Sequence, residues 1–318
     1  ENKFFPSINP ADGEVLAEVA DAGAKDVDLA VAAARRAYEN VWSKMSGSQR
    51  GKYLFRIARA IQERAREFAV LETMDNGKPI KESRDVDIPL VAAHFFYNAG
   101  WADKLDYAFA GHKVKPLGVA AQVIPWNFPL LMLAWKIAPA LAAGNSVIVK
   151  PAEQTSLTAL RVAELAMEAG IPRGVLNVVT GMGPDVGEPL GLHPDVDMVS
   201  FTGSTETGRR FLRYSADSNL KKIVLECGGK NPAVVLDDAE DLDLVAQHIV
   251  NAAFWNMGEN CSANSRLIVQ SGVKAELLEK IQVHMRDWRT GDPLNPVNNL
   301  GALVDQEHFN KVTAYLSA

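Results

Sequence analysis

Cysteine is nearly absent: the 318 residues contain only Cys227 and Cys261. Two thiols cannot frame a chain of this size with disulfides, so a reducing compartment is favoured and the cytoplasm is the expected location. Neither the cysteines nor the six histidines fall at CxxC or HExxH spacing, and no metal site is supported. Basic residues are in deficit, with 33 Lys and Arg against 39 Asp and Glu, and they form no run and no aromatic-interleaved stripe. The net charge of −6 argues against nucleic acid and leaves small molecules as the expected partners. Long apolar runs are missing too. The longest, Pro129 to Ala143, is interrupted by Lys136 and Pro139 and is too short to span a membrane, so it reads as a buried helix. A full GxGxxG turn is also lacking, because in Val178 to Gly187 the third glycine comes one place late, at Gly187. By themselves these glycines mark a phosphate turn or an ordinary strand-to-helix turn equally well.

Hydrophobic residues make up 47% of the chain, enough for a large core, and the length suits about two domains. From Gly118 onward, short continuous apolar runs recur: Gly118 to Ile124, Ser146 to Lys150, Val175 to Val179, Asp197 to Phe201 and Lys222 to Glu226. Continuous apolarity belongs to strands covered on both faces, and helix-length gaps between them predict a parallel, doubly wound α/β sheet. A second α/β unit starts near Glu226, with strands at Ala233 to Asp238 and Arg266 to Gln270 and helices over Leu242 to Trp255 and after Val273. Before the sheet, Lys25 to Glu39, Gly47 to Met74 and about Ser83 to Lys104 carry helical periodicity without obvious chemistry, as expected of a helical layer.

Cys261 follows a glycine turn in Asn256-Met-Gly-Glu-Asn-Cys-Ser-Ala, and Glu226 ends an apolar strand before Gly228-Gly229. A thiolate can attack a carbonyl carbon, and a carboxylate can then activate the water that hydrolyses the thioester. In FTGSTETG, Gly203 and Gly208 bracket the start of a helix whose free amides, with the Ser204 hydroxyl, can face a pyrophosphate. A plain N-cap by Ser204 or Thr205 explains the same residues. In VIVKPAEQT, Lys150 closes a strand and Pro151 stops the pairing, which puts Lys150 and Glu153 at the carboxyl edge where open α/β sheets bind ligands. The pair can serve ribose hydroxyls or cap the next helix. A carboxylate at Glu153 repels a 2′-phosphate, which predicts NAD over NADP.

PWNFP (Pro125 to Pro129), VIVKPAEQT (Val147 to Thr155), FTGSTETG (Phe201 to Gly208), LECGGK (Leu225 to Lys230) and ENCSA (Glu259 to Ala263) together resemble the NAD(P)-dependent aldehyde dehydrogenase family. The resemblance runs from INPADGEVLAEV (Ile8 to Val19) to GALVDQEHFNKVTAYL (Gly301 to Leu316). It implies a Rossmann-like NAD-binding domain with an N-terminal helical layer over 1–225 and the first part of a catalytic domain over 226–318. It implies oxidation of an aldehyde to a carboxylic acid through a cysteine thiohemiacetal and thioester. Cys261 is then the nucleophile and Glu226 the base, while Asn127 and the Cys261 amide donate to the oxyanion. Cofactor contacts are implied at Ile124, Pro125, Trp126, Lys150, Ala152, Glu153, Gly183 and Gly187, and at Phe201, Gly203, Ser204, Gly208 and Gly228. A homo-oligomer, dimer or tetramer, is expected of the complete protein.

Several features depart from that pattern. An ExFGP segment is missing before the last residue, Ala318, and the chain is expected to be a fragment or one module of a longer polypeptide. Residues 105–116 look like a shortened form of the hairpin that mediates subunit contacts. Glu259 replaces a glutamine and adds negative charge that would raise the thiol pKa. Cys227 stands where leucine is usual and should point away from the chemistry, since strand neighbours face opposite sides. Two other readings remain: an acylating dehydrogenase that passes the thioester to coenzyme A, disfavoured by Glu226, and a nonenzymatic nucleotide-binding or scaffold fragment.

Overall fold

A computed structural model describes residues 3–112 and 114–317. The chain opens with an antiparallel hairpin, β1 (Phe4–Ile8) and β2 (Val15–Ala20). It lies outside the expected elements because only alternate residues such as Phe5, Ser7 and Val19 are buried, which leaves no continuous apolar run. The helix Ala24–Asn40 follows with Val27, Val31, Ala34 and Ala37 buried on one stripe. The region read as one helix from Gly47 to Met74 breaks at Arg64 into Gly47–Glu63 and Ala65–Asn76. The third region begins with a wide turn at Ser83–Asp87 before the helix Ile88–Trp101. Residues 105–116 do not make a hairpin among the described residues. The amides of Tyr107 and Ala108 bond back to the Lys104 carbonyl at 3.1 and 3.0 Å, closing a helical turn at Leu105–Ala108; residue 113 of this segment lies outside the described residues.

The expected parallel sheet is present. Its strands are β3 (Val119–Val123), β4 (Ser146–Lys150), β5 (Leu176–Val178), β6 (Met198–Gly203) and β7 (Lys222–Cys227), in the order β5-β4-β3-β6-β7. The pleat distributes side chains to two cores. Ala120, Val147 and Val149 pack under the helices Gly47–Glu63, Ile88–Trp101 and Pro129–Ala142, while Val119, Ala121 and Ile148 pack under Ala24–Asn40 and, farther along, Thr205–Ala216. A sheet covered on both faces is the doubly wound arrangement, and its crevice opens where successive connections leave β3 in opposite directions. Register fixes what lines that crevice: Lys150, Val123, Phe201 and Leu225 stand in one row, with Thr202 and Glu226 paired one step beyond.

Beyond Glu226, β8 (Asn231–Val235) and β9 (Asn264–Val269) pair in parallel and are packed by the helices Leu242–Phe254 and Lys274–Met285 around Val235, Ala246 and Leu277. The chain then returns to the first unit. Ala302 donates to the Gly77 carbonyl at 3.0 Å, and the helix Gln306–Leu316, capped by Asp305, runs beside the sheet's carboxyl edge. No helix among the described residues is long and apolar enough to cross a membrane.

Gly118 precedes β3 with φ +135°, and a Cβ there would lie 2.0 Å from Asp197 Oδ2, the same oxygen that accepts from the Val119 amide at 2.6 Å. Gly118→Ala should therefore cost about 3 kcal/mol, from backbone strain and a displaced carboxylate together. Gly13, with φ +80° and open space around it, should cost only about 1 kcal/mol as alanine. Urea unfolding midpoints of the two variants check the difference; equal midpoints would contradict it.

Candidate active site

A cleft of about 670 Å³ opens along the carboxyl edge of β3, β4 and β6. Ile124, Pro125 and Trp126 leave β3 into it, Lys150, Ala152 and Glu153 leave β4, and Phe201, Gly203 and Ser204 leave β6. Gly183 and Gly187 border it from the tight turn at Gly183–Gly187. Gly203 has no room for a side chain, since a Cβ would stand 2.6 Å from the Phe201 ring, itself packed on Phe211 with ring centroids 5.1 Å apart. Thr202 also faces the cleft, and its Oγ1 is buried without a partner. Lys150, 4% exposed, closes on Glu153 at 2.8 Å, so the two groups form one ion pair at the cleft wall rather than two opposed groups. The Ser204 hydroxyl accepts from the Thr207 amide at 3.1 Å and caps the helix Thr205–Ala216, so the capping reading holds for a residue that also lines the cleft.

Two expected contacts fall outside. Gly208 sits where that helix crosses β7: a Cβ would meet Cys227 Sγ at 3.2 Å and Leu225 Cδ1 at 3.4 Å, so glycine here serves helix-on-strand packing. Gly228 follows β7 in open space, away from the cleft lining. In their place the far wall is supplied by Val304, Asp305, Glu307, His308 and Lys311, with Gln154 bonded to Asp305 at 3.0 Å and the Trp126 ring tilted against His308 at 4.9 Å between centroids. Nothing in the residue types of this late segment signals that it folds back; only its place at the end of the motif series hints at it.

Cys261 is exposed at the end of a strained turn. Asn256 and Met257 hold φ +54° and +55°, and Gly258 continues at +74°. Left-handed backbone at two successive non-glycine residues persists only where surroundings enforce it. Here Glu82 Oε2 accepts from the Asn256 amide at 3.0 Å, and Asn256 Nδ2 donates to the Asn127 carbonyl at 2.9 Å. The Asn127 side chain donates to the Glu259 carbonyl at 2.7 Å, and Asn231 Nδ2 donates to the Cys261 carbonyl at 3.0 Å. One of the two Asn127 N–H bonds is thus committed to holding the thiol loop. Glu226 is exposed at the end of β7, and Cys227 faces the opposite side, half-buried against Gly208. Lys136, the lone charge in its apolar helix, donates to Ser200 Oγ at 2.8 Å. Burial lowers its pKa to about 8, opposed by the charge of Glu226.

Residues 72–87 plant a buried polar cluster beneath the Pro125–Pro129 turn. Lys78, fully buried, pairs with Asp87 at 2.8 Å, donates to the Asn127 carbonyl at 3.0 Å and lies 4.3 Å from the Phe128 ring centroid. Asn76 donates to the Trp126 carbonyl at 2.8 Å, and Glu72 accepts from the Leu130 amide at 3.2 Å. Burial alone would lower Lys78, but Asp87 and Glu72 outweigh it and keep the ammonium charged. Burial raises Glu72 and Glu82 to about 7 each.

Glu259 also differs from expectation. Its carboxyl is buried, accepts from the Val304 amide at 3.2 Å and lies 3.6 Å from His308. Burial raises it to about 8 and lowers His308, so near pH 7 the two meet as mostly neutral groups and the added negative charge is absent.

Residues 1–318 match the family described as the aldehyde dehydrogenase family. An aminoacetaldehyde dehydrogenase of Pseudomonas aeruginosa is 60% identical over 99% of this chain and 65% of its own length. The human mitochondrial aldehyde dehydrogenase is 44% identical over 99% of this chain and 63% of its own. Among solved structures, a gamma-glutamyl-gamma-aminobutyraldehyde dehydrogenase from Burkholderia cenocepacia is 46% identical with TM-score 0.95, covering 99% of this chain and 66% of that one. An indole-3-acetaldehyde dehydrogenase complexed with NAD+ is 43% identical with TM-score 0.95 and the same coverage. This chain therefore spans about 65% of the length of such relatives.

A carboxyl whose folded pKa lies above its ordinary value contributes stability at low pH that is lost as pH rises through the folded value. For Glu259 that window runs from 4.5 to about 8. Glu259→Gln, which cannot ionise, should thus gain stability relative to the parent between about pH 5 and pH 9. Urea midpoints at the two ends check this, and a constant difference would place the titration elsewhere.

Proposed function

The chain belongs to the aldehyde dehydrogenase family, and we propose that its complete polypeptide oxidises an aldehyde to a carboxylic acid with NAD. The observation that carries the proposal is the reach of one turn: Trp126 lines the cleft while its neighbour Asn127 is bonded into the Cys261 loop. A ligand in the cleft and an electrophile at the thiol are thereby brought to the two sides of one rigid segment.

The cleft suits a dinucleotide. It lies outside the carboxyl ends of parallel strands at the switch point, and Gly203 keeps a side chain out of its wall beside the Phe201 ring. Glu153 beside Lys150 favours ribose hydroxyls over a 2′-phosphate and hence NAD over NADP. On this reading 1–225 is the NAD-binding unit with its helical layer, and 226–318 is the first part of the catalytic unit. The two free cysteines suit a reducing compartment such as the cytoplasm, and a homo-oligomer is the assembly proposed for the complete protein.

Cys261, as thiolate, attacks the aldehyde carbon and forms a C–S bond, leaving an oxyanion. The free N–H of Asn127 and the Cys261 backbone amide serve as its donors. NAD, when bound, accepts the hydride that departs from this carbon. The protein then holds a thioester, and Glu226 takes a proton from the water that attacks it, so that the C–S bond breaks and the acid leaves with the thiolate restored. Glu226 is exposed at the end of β7, with Lys136 near it. Without Glu226 the thioester would wait for another acceptor such as coenzyme A. Aminoacetaldehyde, named for the 60% identical relative, is the first substrate to assay.

In the complete polypeptide, Cys261→Ser should abolish aldehyde-dependent NADH formation, and Glu226→Gln should give a burst of NADH followed by slow turnover. Full steady-state oxidation by the serine variant would refute the mechanism. Strict dependence on added coenzyme A would favour the acylating reading, and cofactor binding without any turnover would favour a nonenzymatic role.

A further inference from the structure

Glu82 is a buried acid that the chemistry above does not use. It leaves the short helix Ile80–Glu82 just after Pro79, and only 6% of its surface is exposed. It sits far from the sheet edge in sequence, yet its Oε2 takes the amide of Asn256, the first residue of the left-handed turn that ends in the thiol. Burying a carboxyl is unfavourable unless what it bonds compensates, so its retention under this turn calls for a specific return.

The geometry supplies one. A left-handed residue other than glycine relaxes toward the right-handed or extended region unless its amide is fixed, and Asn256 and Met257 would both move if the anchor at Asn256 were lost. The turn is held at both ends. At its start Asn256 is held through Glu82 and, by its side chain, through the Asn127 carbonyl; at its end the Glu259 carbonyl is held by the Asn127 amide. Lys78, donating to the same Asn127 carbonyl, keeps that second partner still. Of the side-chain bonds that hold Asn256 among the described residues, the one to Glu82 does not pass through Asn127, whereas Asn231 and Val304 hold the far end of the turn at Cys261 and Glu259. Without it, the start of the turn would be fixed only through the residue that is also asked to donate to the oxyanion.

We propose that Glu82 is a positioning residue for acyl transfer: by accepting from the Asn256 amide it locks the left-handed turn that sets the place of the Cys261 thiol against the Asn127 donor. The proposal rests on the reading of Cys261 as nucleophile. Its effect belongs to the acylation step and leaves dinucleotide binding alone, because Glu82 is outside the cleft that begins at Trp126. Glu82 borders instead a second, more apolar cleft with Trp255 and Trp288.

The test uses the complete polypeptide with Glu82→Leu and Glu82→Gln, and it reads three quantities. The first is NAD affinity by fluorescence titration; the second is the burst of p-nitrophenolate from p-nitrophenyl acetate, in which the thiol displaces the phenolate without any hydride transfer; the third is kcat for aldehyde oxidation. Expected for Glu82→Leu is a fall of about 10²-fold in burst rate and kcat, with NAD affinity within about twofold of the parent. Glu82→Gln, which keeps the acceptor, should stay within about threefold of the parent in all three. A folded leucine variant with parental burst and kcat overturns the proposal. If the leucine variant does not fold, the glutamine variant decides: parental burst and kcat support the role, and a large loss despite intact NAD affinity overturns it. Absence of any burst from the parent itself would instead sink the nucleophile assignment, leaving the two failures distinct.

Discussion

The Asn127 carbonyl, taken at once by the Lys78 ammonium and the Asn256 side-chain Nδ2, is the contact on which the site depends. Asn127 belongs to the turn that leaves β3 toward the cleft, Lys78 to the helical layer, and Asn256 to the unit that carries the thiol. Three segments distant in sequence thus meet on one oxygen. A carbonyl has two lone pairs, so both donors are accommodated and neither competes with the other. Because Lys78 is held by Asp87 and capped by the Phe128 ring, the junction is stiff as well as satisfied.

Such a junction is not a device for stability. Ion pairs removed wholly from water repay their desolvation poorly, and an apolar replacement of matched volume often serves folding as well or better. What the charged groups add is uniqueness of position. Apolar side chains could fill the space beneath residues 125–130, but they would leave the Trp126 and Asn127 carbonyls and the Leu130 amide without partners. A turn that must expose one face to a cofactor cleft and another to a reacting thiol cannot satisfy its own backbone with regular structure, so neighbouring side chains do it. The elevated carboxyls of Glu72 and Glu82 follow from the same burial.

The sheet and most of the cleft were legible in the sequence because their signals are local. Val119–Val123 and Ser146–Lys150 are continuous apolar runs, and a run buried on both faces reads the same in any context. Parallel pairing then forces Ile124, Lys150 and Phe201 to one edge, so the cleft lining follows from strand ends. Less was legible where the deciding fact is a long-range contact. The charges of residues 72–87 have the pattern of a solvated surface, and only the fold reveals that Glu72, Lys78 and Asp87 are interior. Gly208 resembled a phosphate glycine because helix packing and ligand approach call for the same missing side chain. Glu259 was misjudged in charge because the group that buries it, around Val304 and His308, returns from far along the chain.

The division of labour has a consequence for how the protein can vary. The cleft is built mainly from strand ends whose register is fixed by a sheet with buried faces, and its shape tolerates change elsewhere. Among the described residues the thiol turn adjoins β8 and β9, a parallel pair with a small core around Val235, Ala246 and Leu277. Glu82 and Asn127 tie it to the first unit. Tenths of an ångström at a nucleophile matter more than at a binding wall, since only interactions realised in the transition state accelerate a reaction. Selection for rate would therefore act on the helical layer beneath the turn, and selection for cofactor on the strand ends, with little interference between the two.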